Sequence, residues 1–265
     1  MTNILRVNVM LNIVIPMAGR GSRFAQVGFT DPKPFISIAG VPMIELVINN
    51  LRPSCPHRFI FICQQAHLER YDFAARLESL APDSLVISIA DITDGALCSV
   101  LSAAALIDNR SPLMIANSDQ WVNINIDDYL AEIERRDLDG FIMTMSATDS
   151  RWSYVNYDEE GWVSQVVEKE VVSSEATVGI YNFRSGRDFC RLARSMVARN
   201  ERSQGEFYVA PVYTHMYREG LFRIGTYNIG CNGKGMHGLG TPEDLAQFMK
   251  SKALKNALEK CEATV

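Results

Sequence analysis

Long stretches of one residue class are missing from this 265-residue sequence. No lysine and arginine cluster is longer than a few residues, and the net charge is −5. The sequence therefore lacks the basic stripe of a protein that binds nucleic acid through its phosphates. No apolar run approaches the roughly 20 residues that span a bilayer. We predict no nucleic-acid partner and no membrane segment.

Cysteines are few, and their spacing shows no metal-binding or disulfide pattern. The six are scattered without a C-x-x-C pair, at Cys55, Cys63, Cys98, Cys190, Cys231 and Cys261. This spacing favours neither a zinc site nor a disulfide framework. Residues 1–10 also lack the small-residue cleavage site of a signal peptide. We therefore expect a protein of the reducing cytoplasm.

The first half of the chain alternates short apolar runs with segments of helical period. Its composition, 47% hydrophobic and 22% charged, is ordinary for a packed globular protein. The runs predict buried parallel strands over residues 12–16, 59–63, 85–89, 113–116 and 141–145. Helices are predicted over residues 42–51, 99–107 and 127–136. This order predicts an α/β fold with a doubly wound, mostly parallel sheet.

The pattern changes after about residue 150, where strands are shorter and turns more frequent. Strands are predicted over residues 154–157, 163–167 and 176–183, and a helix over residues 189–198. A final helix is predicted to begin at Thr241 as N-cap, with Pro242 in its first turn. We expect a single domain over residues 10–265, in which residues 151–265 form a β-rich extension that covers the pocket.

A glycine-rich segment follows the first predicted strand, and two basic residues follow it. Ala18, Gly19 and Gly21 permit a tight turn whose N–H groups converge on an anion, and Arg23 and Lys33 add fixed positive charge. An ordinary turn with two solvated cations is the alternative. The spacing differs from the Rossmann and Walker patterns, and the compact arrangement after the first strand favours a distinct nucleoside triphosphate loop.

These residues resemble the signature of the sugar-phosphate nucleotidylyltransferases, such as glucose-1-phosphate thymidylyltransferase. The family's G-x-G-[ST]-R motif and P-K-P-like segment match Gly19, Gly21, Ser22, Arg23, Pro32, Lys33 and Pro34. The resemblance implies a Rossmann-like three-layer α/β/α fold with a mostly parallel mixed sheet. It also implies transfer of a nucleoside monophosphate from a triphosphate to a phosphorylated acceptor, with release of pyrophosphate. Within this family, the chain resembles bacterial members associated with capsule and surface-glycan gene sets.

The resemblance implies that Asp119 binds Mg²⁺. Taken alone, an aspartate at a strand end is more often a turn former or helix cap. The family has a second metal-binding aspartate in a W-x-D-x-G-T segment, but here residues 236–241 carry Gly238 at that point. His237 is a candidate substitute, although a single histidine usually packs or hydrogen-bonds and Mg²⁺ prefers oxygen.

Two further sets of residues take their predicted roles from the same resemblance. Nucleotide binding is expected at Ala18, Gly19, Gly21, Ser22, Arg23, Gln65 and Gly95, with residues 10–150 as the nucleotide-binding half. Gln65 is equally consistent with a solvated residue at a helix start. Acceptor binding is expected at Glu168, Lys169, Gly179 and Glu206, in the acceptor-binding half of residues 151–265. Charged neighbours on an exposed strand are the alternative for Glu168 and Lys169.

The predicted chemistry needs alignment and charge neutralisation rather than a nucleophilic side chain. Lys33 and Mg²⁺ are expected to stabilise the α-phosphate, Arg23 the leaving pyrophosphate and Lys169 the attacking phosphate. Two rivals stay open: a glycosyltransferase of related fold, whose usual D-x-D motif is absent near Asp119, and a catalytically silent subunit, which Gly238 favours.

The sequence leaves the substrates and the assembly undecided. A pyrimidine triphosphate (CTP, dTTP or UTP) is favoured, and the acceptor is a sugar phosphate or a non-sugar phosphate. The apolar Leu245, Phe248, Met249 and Leu258 of the final helix could dock on the chain's own core or on a second subunit, so a homo-oligomer is possible.

Overall fold

The computed structural model describes residues 9–19 and 21–263. Residues 1–8, Arg20 of the glycine-rich loop and residues 264–265 lie outside the described part. The prediction that no signal peptide is present therefore falls mostly on residues that are not described. Within the described part of the chain, no helix combines the length and apolar character needed to cross a membrane.

Strands occur throughout the chain. They are Leu11–Pro16 (β1), Ser37–Ile38 (β2), Val41–Pro42 (β3), His57–Gln64 (β4), Leu85–Ile89 (β5), Leu113–Ala116 (β6), Gln120–Val122 (β7), Gly140–Ser146 (β8), Ser153–Tyr157 (β9), Val163–Glu168 (β10), Glu175–Phe183 (β11), Ile224–Cys231 (β12) and Met236–Gly238 (β13). Every strand predicted from the sequence is present.

Helices separate most of these strands. They are Ser22–Gln26 (α1), Met43–Leu51 (α2), Gln65–Tyr71 (α3), Phe73–Leu80 (α4), Ala96–Leu101 (α5), Ala104–Ile107 (α6), Ile126–Arg135 (α7), Gly186–Ala198 (α8), Val212–Arg218 (α9), Pro242–Met249 (α10) and Ala253–Glu262 (α11). A single 3₁₀ turn covers Lys33–Phe35.

A nine-stranded mixed sheet forms the centre of the molecule. Strands β5, β4, β1 and β6 are neighbours and parallel. Enclosure between neighbouring strands and two helix layers explains why β1, β4 and β6 are apolar on both faces. Strand β11 then pairs antiparallel with β6 and β8, and β12 pairs parallel with β8. The β9–β10 hairpin joins through β11, so the later strands extend the central sheet rather than form a separate one.

Helices cover both faces of the sheet and produce the predicted three layers. One apolar core includes residues of α2, α4 and α7, and a second includes residues of α5, α8 and α9. In α8, Phe189, Leu192, Ala193 and Met196 are buried at the spacing of one helix face. The mostly parallel α/β fold predicted from the sequence is therefore confirmed.

Several helix boundaries differ from the prediction. Pro42 is the N-cap of α2 rather than its first helical residue. The helix predicted over residues 99–107 is divided into α5 and α6 around Ser102 and Ala103. The final helix is likewise divided into α10 and α11, although Thr241 does cap α10 by accepting a hydrogen bond from the Asp244 amide.

A third apolar core fixes the C-terminal helices against the N-terminal half. Leu245 and Phe248 of α10 and Ala257 of α11 are buried together with Met43 and Leu46 of α2. These helices therefore dock on the chain's own core. The β13–β7 ladder lies alongside and brings Gly238 opposite Gln120, next to the end of β6.

Candidate active site

A cavity of about 390 Å³ opens beyond the carboxyl ends of the parallel strands. The loop after β1 lines it with Ala18, Gly19 and Gly21, and the loop after β6 lines it with Asp119. Lys33, Gly95 and Glu206 complete the set of predicted residues at its wall. Ligands of open α/β sheets bind at this edge because the loops after parallel strands converge there.

The glycine-rich loop owes its shape to residues that need little space. Gly21 has a left-handed backbone with φ of 61°, and a Cβ there would lie 3.3 Å from the Lys33 Cβ. The loop is held to the sheet by the Met17 amide, which donates to the Ile62 carbonyl at 2.9 Å. Gly21 therefore allows the loop and the Lys33 turn to approach each other closely.

Ser22 and Arg23 begin the short helix α1 beside this loop. Both are exposed, and neither belongs to the cavity wall. Phe24 is the buried residue that anchors α1, and its ring makes an edge contact with Phe29. Arg23 thus lies near the loop, but its side chain does not line the cavity.

Lys33 and Asp119 form an ion pair across the cavity. The Lys33 turn is anchored by Pro34 and Phe35, which are buried, while the Asp119 carbonyl accepts a hydrogen bond from the Leu239 amide at 2.8 Å. Both charged side chains keep about a quarter of their surface exposed, 23% for Lys33 and 26% for Asp119. The two groups are therefore accessible to a ligand in the cavity.

Gly240 leaves room for that ion pair. A Cβ at this position would lie 2.5 Å from Asp119 Oδ2 and 3.6 Å from Lys33 Nζ. Any side chain at residue 240 would displace the carboxylate.

Gly95 joins the nucleotide side of the cavity to the segment that carries Glu206. It has φ of 126°, and a Cβ would lie 2.4 Å from the Phe207 carbonyl oxygen. The Leu97 amide donates to the same carbonyl at 3.1 Å, and the Phe207 amide donates to the Asp94 carbonyl at 2.8 Å. Residues 206–208 therefore lie directly against the start of α5.

Gln65 lies away from the cavity wall, and its neighbour Gln64 contacts the glycine-rich loop instead. The exposed Gln65 side chain hydrogen-bonds Glu69 at 2.8 Å. Gln64 Nε2 donates to the carbonyls of Ala18 and Gly19 at 2.6 and 3.3 Å. Gln64 is the last residue of β4. A choice between Gln64 and Gln65 from sequence would have required the exact end of that strand.

Gly179 lies behind the cavity wall, in the part of β11 where pairing with β8 is irregular. Its φ is 84°, and a Cβ would lie 2.1 Å from Asn117 Nδ2 and 2.9 Å from Gln120 Oε1. Asn117 does line the cavity. Because Gly179 has no side chain, the Asn117 side chain fits between Gly179 and the cavity.

Glu168 and Lys169 lie at the end of β10, beside the segment that carries Glu206. Glu168 is hydrogen-bonded by the Ser153 hydroxyl. Burial raises the pKa of the Glu168 carboxyl, with a smaller contribution from Glu206 in the same direction, while Ser153 and Lys169 lower it. Lys169 Nζ donates to the Tyr208 hydroxyl at 2.8 Å, and this hydrogen bond raises the pKa of Lys169.

The segment around Gly238 contains another acid, Asp244. A Cβ at Gly238 would lie 3.3 Å from the Asp244 carboxylate, and Asp244 Oδ1 lies 3.6 Å from Arg151 Nη1. His237 is buried between Trp121 and Phe248, and burial lowers its pKa. Among the described residues, no three histidine, cysteine or acidic side chains are grouped as metal ligands. His237 is thus a packed residue.

Comparison with known proteins identifies the family. The sequence profile of the nucleotidyl transferase family matches residues 13–210. The bifunctional protein GlmU of Cupriavidus necator is 24% identical over 220 residues, which cover 80% of this chain and 45% of GlmU. The chain therefore spans less than half of that relative.

A second relative is similar over a short segment only. The 2-aminoethylphosphonate cytidylyltransferase of Lancefieldella rimae is 55% identical over 40 residues, 15% of this chain and 16% of that protein.

The fold has close structural counterparts. The crystal structure of a nucleoside-diphosphate-sugar pyrophosphorylase from Vibrio cholerae has a TM-score of 0.75 and 23% identity, and the match covers 90% of this chain and all of that one. At this identity the likeness concerns the fold alone. Together with the family profile, it leads to one conclusion: the chain belongs to the nucleotidyl transferase family.

Proposed function

We propose that the protein transfers a nucleoside monophosphate from a nucleoside triphosphate to a phosphorylated small molecule and releases pyrophosphate. The observation that supports this best is the Lys33–Asp119 ion pair at the wall of the cavity that the glycine-rich loop also lines. A triphosphate needs both kinds of charge: cations for its oxygens and a carboxylate for its metal ion.

In this proposal the N–H groups of Ala18, Gly19 and Gly21 hold the triphosphate. Lys33 leaves Asp119 and contacts the α-phosphate. Arg23 is exposed at the start of α1, so its side chain must turn toward the cavity to contact the pyrophosphate. Gly95 and the Ala18 backbone contact the base. Gln65 is assigned the same role on resemblance, although Gln64 is better situated because it already contacts Ala18 and Gly19.

Asp119 fits the requirements of a magnesium ligand. Mg²⁺ is commonly held by one or two carboxylates plus substrate phosphates, and Asp119 offers a partly exposed carboxylate in a cavity large enough for phosphates. The bound ion would neutralise charge on the reacting phosphates. We assign Asp119 as its ligand.

The acceptor phosphate attacks without help from a general base because it is already ionised near neutral pH. Lys169 would hold this phosphate, Glu168 and Glu206 would contact the rest of the acceptor, and Gly179 would shape the wall behind Asn117. Alignment of two bound reactants is worth about 7–11 kcal/mol of the barrier, so no covalent intermediate is needed.

The proposed triphosphate is a pyrimidine nucleotide, CTP, dTTP or UTP. The acceptor is a sugar 1-phosphate or a small phosphonate or phosphate. The Lancefieldella rimae relative, a 2-aminoethylphosphonate cytidylyltransferase, supports the second choice together with CTP. The proposed setting is cytoplasmic synthesis of precursors for capsule or surface polysaccharide.

A matrix of ATP, GTP, CTP, UTP and dTTP against phosphorylated acceptors tests the proposal. We expect pyrophosphate release from at least one pair with Mg²⁺, and none with EDTA. Lys33→Ala or Asp119→Ala should lower the rate by about 10²-fold or more, because each removes a preorganised charge at the reacting phosphates. Lys255→Ala, which removes an exposed lysine on α11, is the matched control.

The same assay separates the rival functions. A glycosyltransferase would consume a nucleoside diphosphate sugar and release a nucleoside diphosphate rather than pyrophosphate. A silent subunit would bind nucleotide without turnover. Either result, or unchanged rates in both variants, refutes the assigned roles.

A further inference from the structure

Lys169 has an unusual backbone conformation that turns it away from the strand it follows. Its φ is 57°, in the left-handed region that few residues other than glycine adopt. The Lys169 amide donates to the Trp152 carbonyl at 3.0 Å, which fixes this turn. Strained residues of this kind persist where surrounding contacts hold them, and they concentrate at functional sites.

Tyr208 is the contact that holds the Lys169 side chain. Its hydroxyl accepts a hydrogen bond from Lys169 Nζ at 2.8 Å, and the same ammonium lies 5.0 Å from the centre of the Tyr208 ring. Burial raises the pKa of Tyr208, and the nearby Glu206 carboxylate raises it further, so Glu206 acts on the same hydroxyl. Because Glu206 belongs to the cavity wall, the three side chains connect Lys169 to the cavity.

The segment that carries Tyr208 is itself fixed in place. Phe207 is 2% exposed, and the Arg202 guanidinium lies 4.3 Å from its ring centre. The Phe207 carbonyl oxygen packs against Gly95, and Arg202 pairs with Asp94 at 2.8 Å. Glu206 and Tyr208 therefore flank an anchored residue, which keeps their backbone in place beside Gly95.

We propose that Tyr208 is a positioning residue, whose hydroxyl links Lys169 to Glu206 and holds the ammonium where the acceptor's anionic group binds. The inference rests on the proposed function, because it gives Lys169 the acceptor phosphate or phosphonate as its ligand. Tyr208 itself takes no part in the chemical step. It reduces the freedom of a long exposed side chain before the acceptor arrives, and so lowers the entropy lost on binding.

Tyr208→Phe tests the link, with Tyr217→Phe on α9 as the control, since the Tyr217 hydroxyl interacts with Asp158 outside the cavity. Acceptor KM should rise about 10-fold or more in Tyr208→Phe, the loss expected for a hydrogen bond to a charged group. The triphosphate KM and the melting temperature should stay at the control's values. Glu206→Gln should change acceptor KM in the same direction, because it weakens the link from its other end.

A second measurement does not depend on turnover. Trace acetylation, followed by mass spectrometry of the Lys169 peptide, should be faster in Tyr208→Phe, because loss of the hydrogen bond lowers the pKa of Lys169 and frees its amine. Inorganic phosphate should protect Lys169 in the wild type and protect it less in Tyr208→Phe.

The outcomes separate this inference from the proposed function. If the wild type turns over no acceptor, the proposed function fails, while the labelling still decides the link between Tyr208 and Lys169. Equal acetylation in Tyr208→Phe and Tyr217→Phe overturns the link. Failure of inorganic phosphate to protect wild-type Lys169 overturns its role in holding the acceptor anion. A parallel rise in both KM values would show a general structural defect instead.

Discussion

At the scale of single residues, the proposed mechanism makes the Lys33–Asp119 ion pair the link between metal binding and nucleotide binding. Each group is the other's partner in the free protein, and under the proposal each contacts a ligand instead once a triphosphate and its metal ion are bound. Metal alone must displace an ammonium, and nucleotide alone must displace a carboxylate. The two ligands should therefore bind with positive coupling.

Lys33→Met should increase the affinity of the nucleotide-free protein for Mn²⁺, used as a spectroscopic substitute for Mg²⁺. An ion pair at this exposure is worth up to about 1 kcal/mol, so an increase of up to about fivefold is expected. Electron paramagnetic resonance of free Mn²⁺ measures it, with Lys255→Met as the control. Unchanged or weaker Mn²⁺ binding in Lys33→Met would contradict the account.

Glu168 should reduce the stability of the fold at neutral pH. Burial raises the pKa of its carboxyl in the folded protein, so the folded state binds the proton more tightly than the unfolded state. Stability is therefore lost as the pH rises through the folded pKa. Glu168→Gln keeps the shape and the contact to Ser153 but carries no charge.

We expect Glu168→Gln to melt at a higher temperature than the wild type at pH 8, and the difference to disappear at pH 4, below the unfolded pKa of about 4.3. Each kcal/mol recovered corresponds to roughly 2–4 °C in a domain of this size. Thermal unfolding at the two pH values measures it. Glu170→Gln, at the exposed neighbouring residue, is the control. A higher melting temperature of Glu168→Gln at pH 4 only would contradict the predicted direction of the pH dependence.

Individual site residues could be predicted only where a local sequence pattern determines them. The glycine-rich loop follows β1, Lys33 comes later in the same connection, and Asp119 comes shortly after β6. The structure brings them to one cavity. Gln64 differs from the predicted Gln65 by one position at a strand end, and strand ends are hard to predict. The contact between Tyr208 and Lys169 could not be predicted from sequence, because it depends on a left-handed backbone at Lys169 and joins residues 39 positions apart.

At the scale of elements, Gly95 is the point where α5 and the Glu206 segment meet. Gly95→Ala combines an unfavourable φ with a Cβ 2.4 Å from a backbone oxygen that cannot move freely. We expect a loss of about 2–4 kcal/mol in unfolding free energy, which includes about 1 kcal/mol for the backbone conformation. Urea unfolding measures it.

Gly28→Ala separates the two contributions. Gly28 also has a left-handed backbone, with φ of 94°, but no atom lies within 4 Å of a Cβ there. It should lose only the conformational part, about 1 kcal/mol. Equal losses in the two variants would mean that the contact between Gly95 and Phe207 is not a constraint.

The elements that could be predicted are those that bury a continuous apolar surface. Strands β1, β4 and β6 are apolar on both faces because parallel neighbours and two helix layers enclose them. Strand β12 was not predicted, since this edge strand is only partly buried and contains glycines. The break between α10 and α11 has no glycine or proline to indicate it; the Ser251 hydroxyl there donates to the Phe248 carbonyl at 2.8 Å.

At the scale of the whole molecule, the two predicted halves share one sheet. Strand β11 lies between β6 and β8, and the β13–β7 ladder adds a second connection beside Asp119. We propose that they act as a single domain with the reacting groups at their junction. Among the described residues of the C-terminal helices, most apolar side chains face the chain's own core, and Met249 is 43% exposed. The homo-oligomer stays a prediction.

Nucleotidyl transfer in the cavity between the glycine-rich loop and Asp119 is the function proposed for this protein. The most direct measurement uses nucleoside triphosphates labelled with ³²P at the α-phosphate, together with the acceptor panel and Mg²⁺. We predict that the label enters an acceptor-linked product with wild-type protein and not with Lys33→Ala. Release of inorganic phosphate, with the label retained in a nucleoside diphosphate, would contradict the claim.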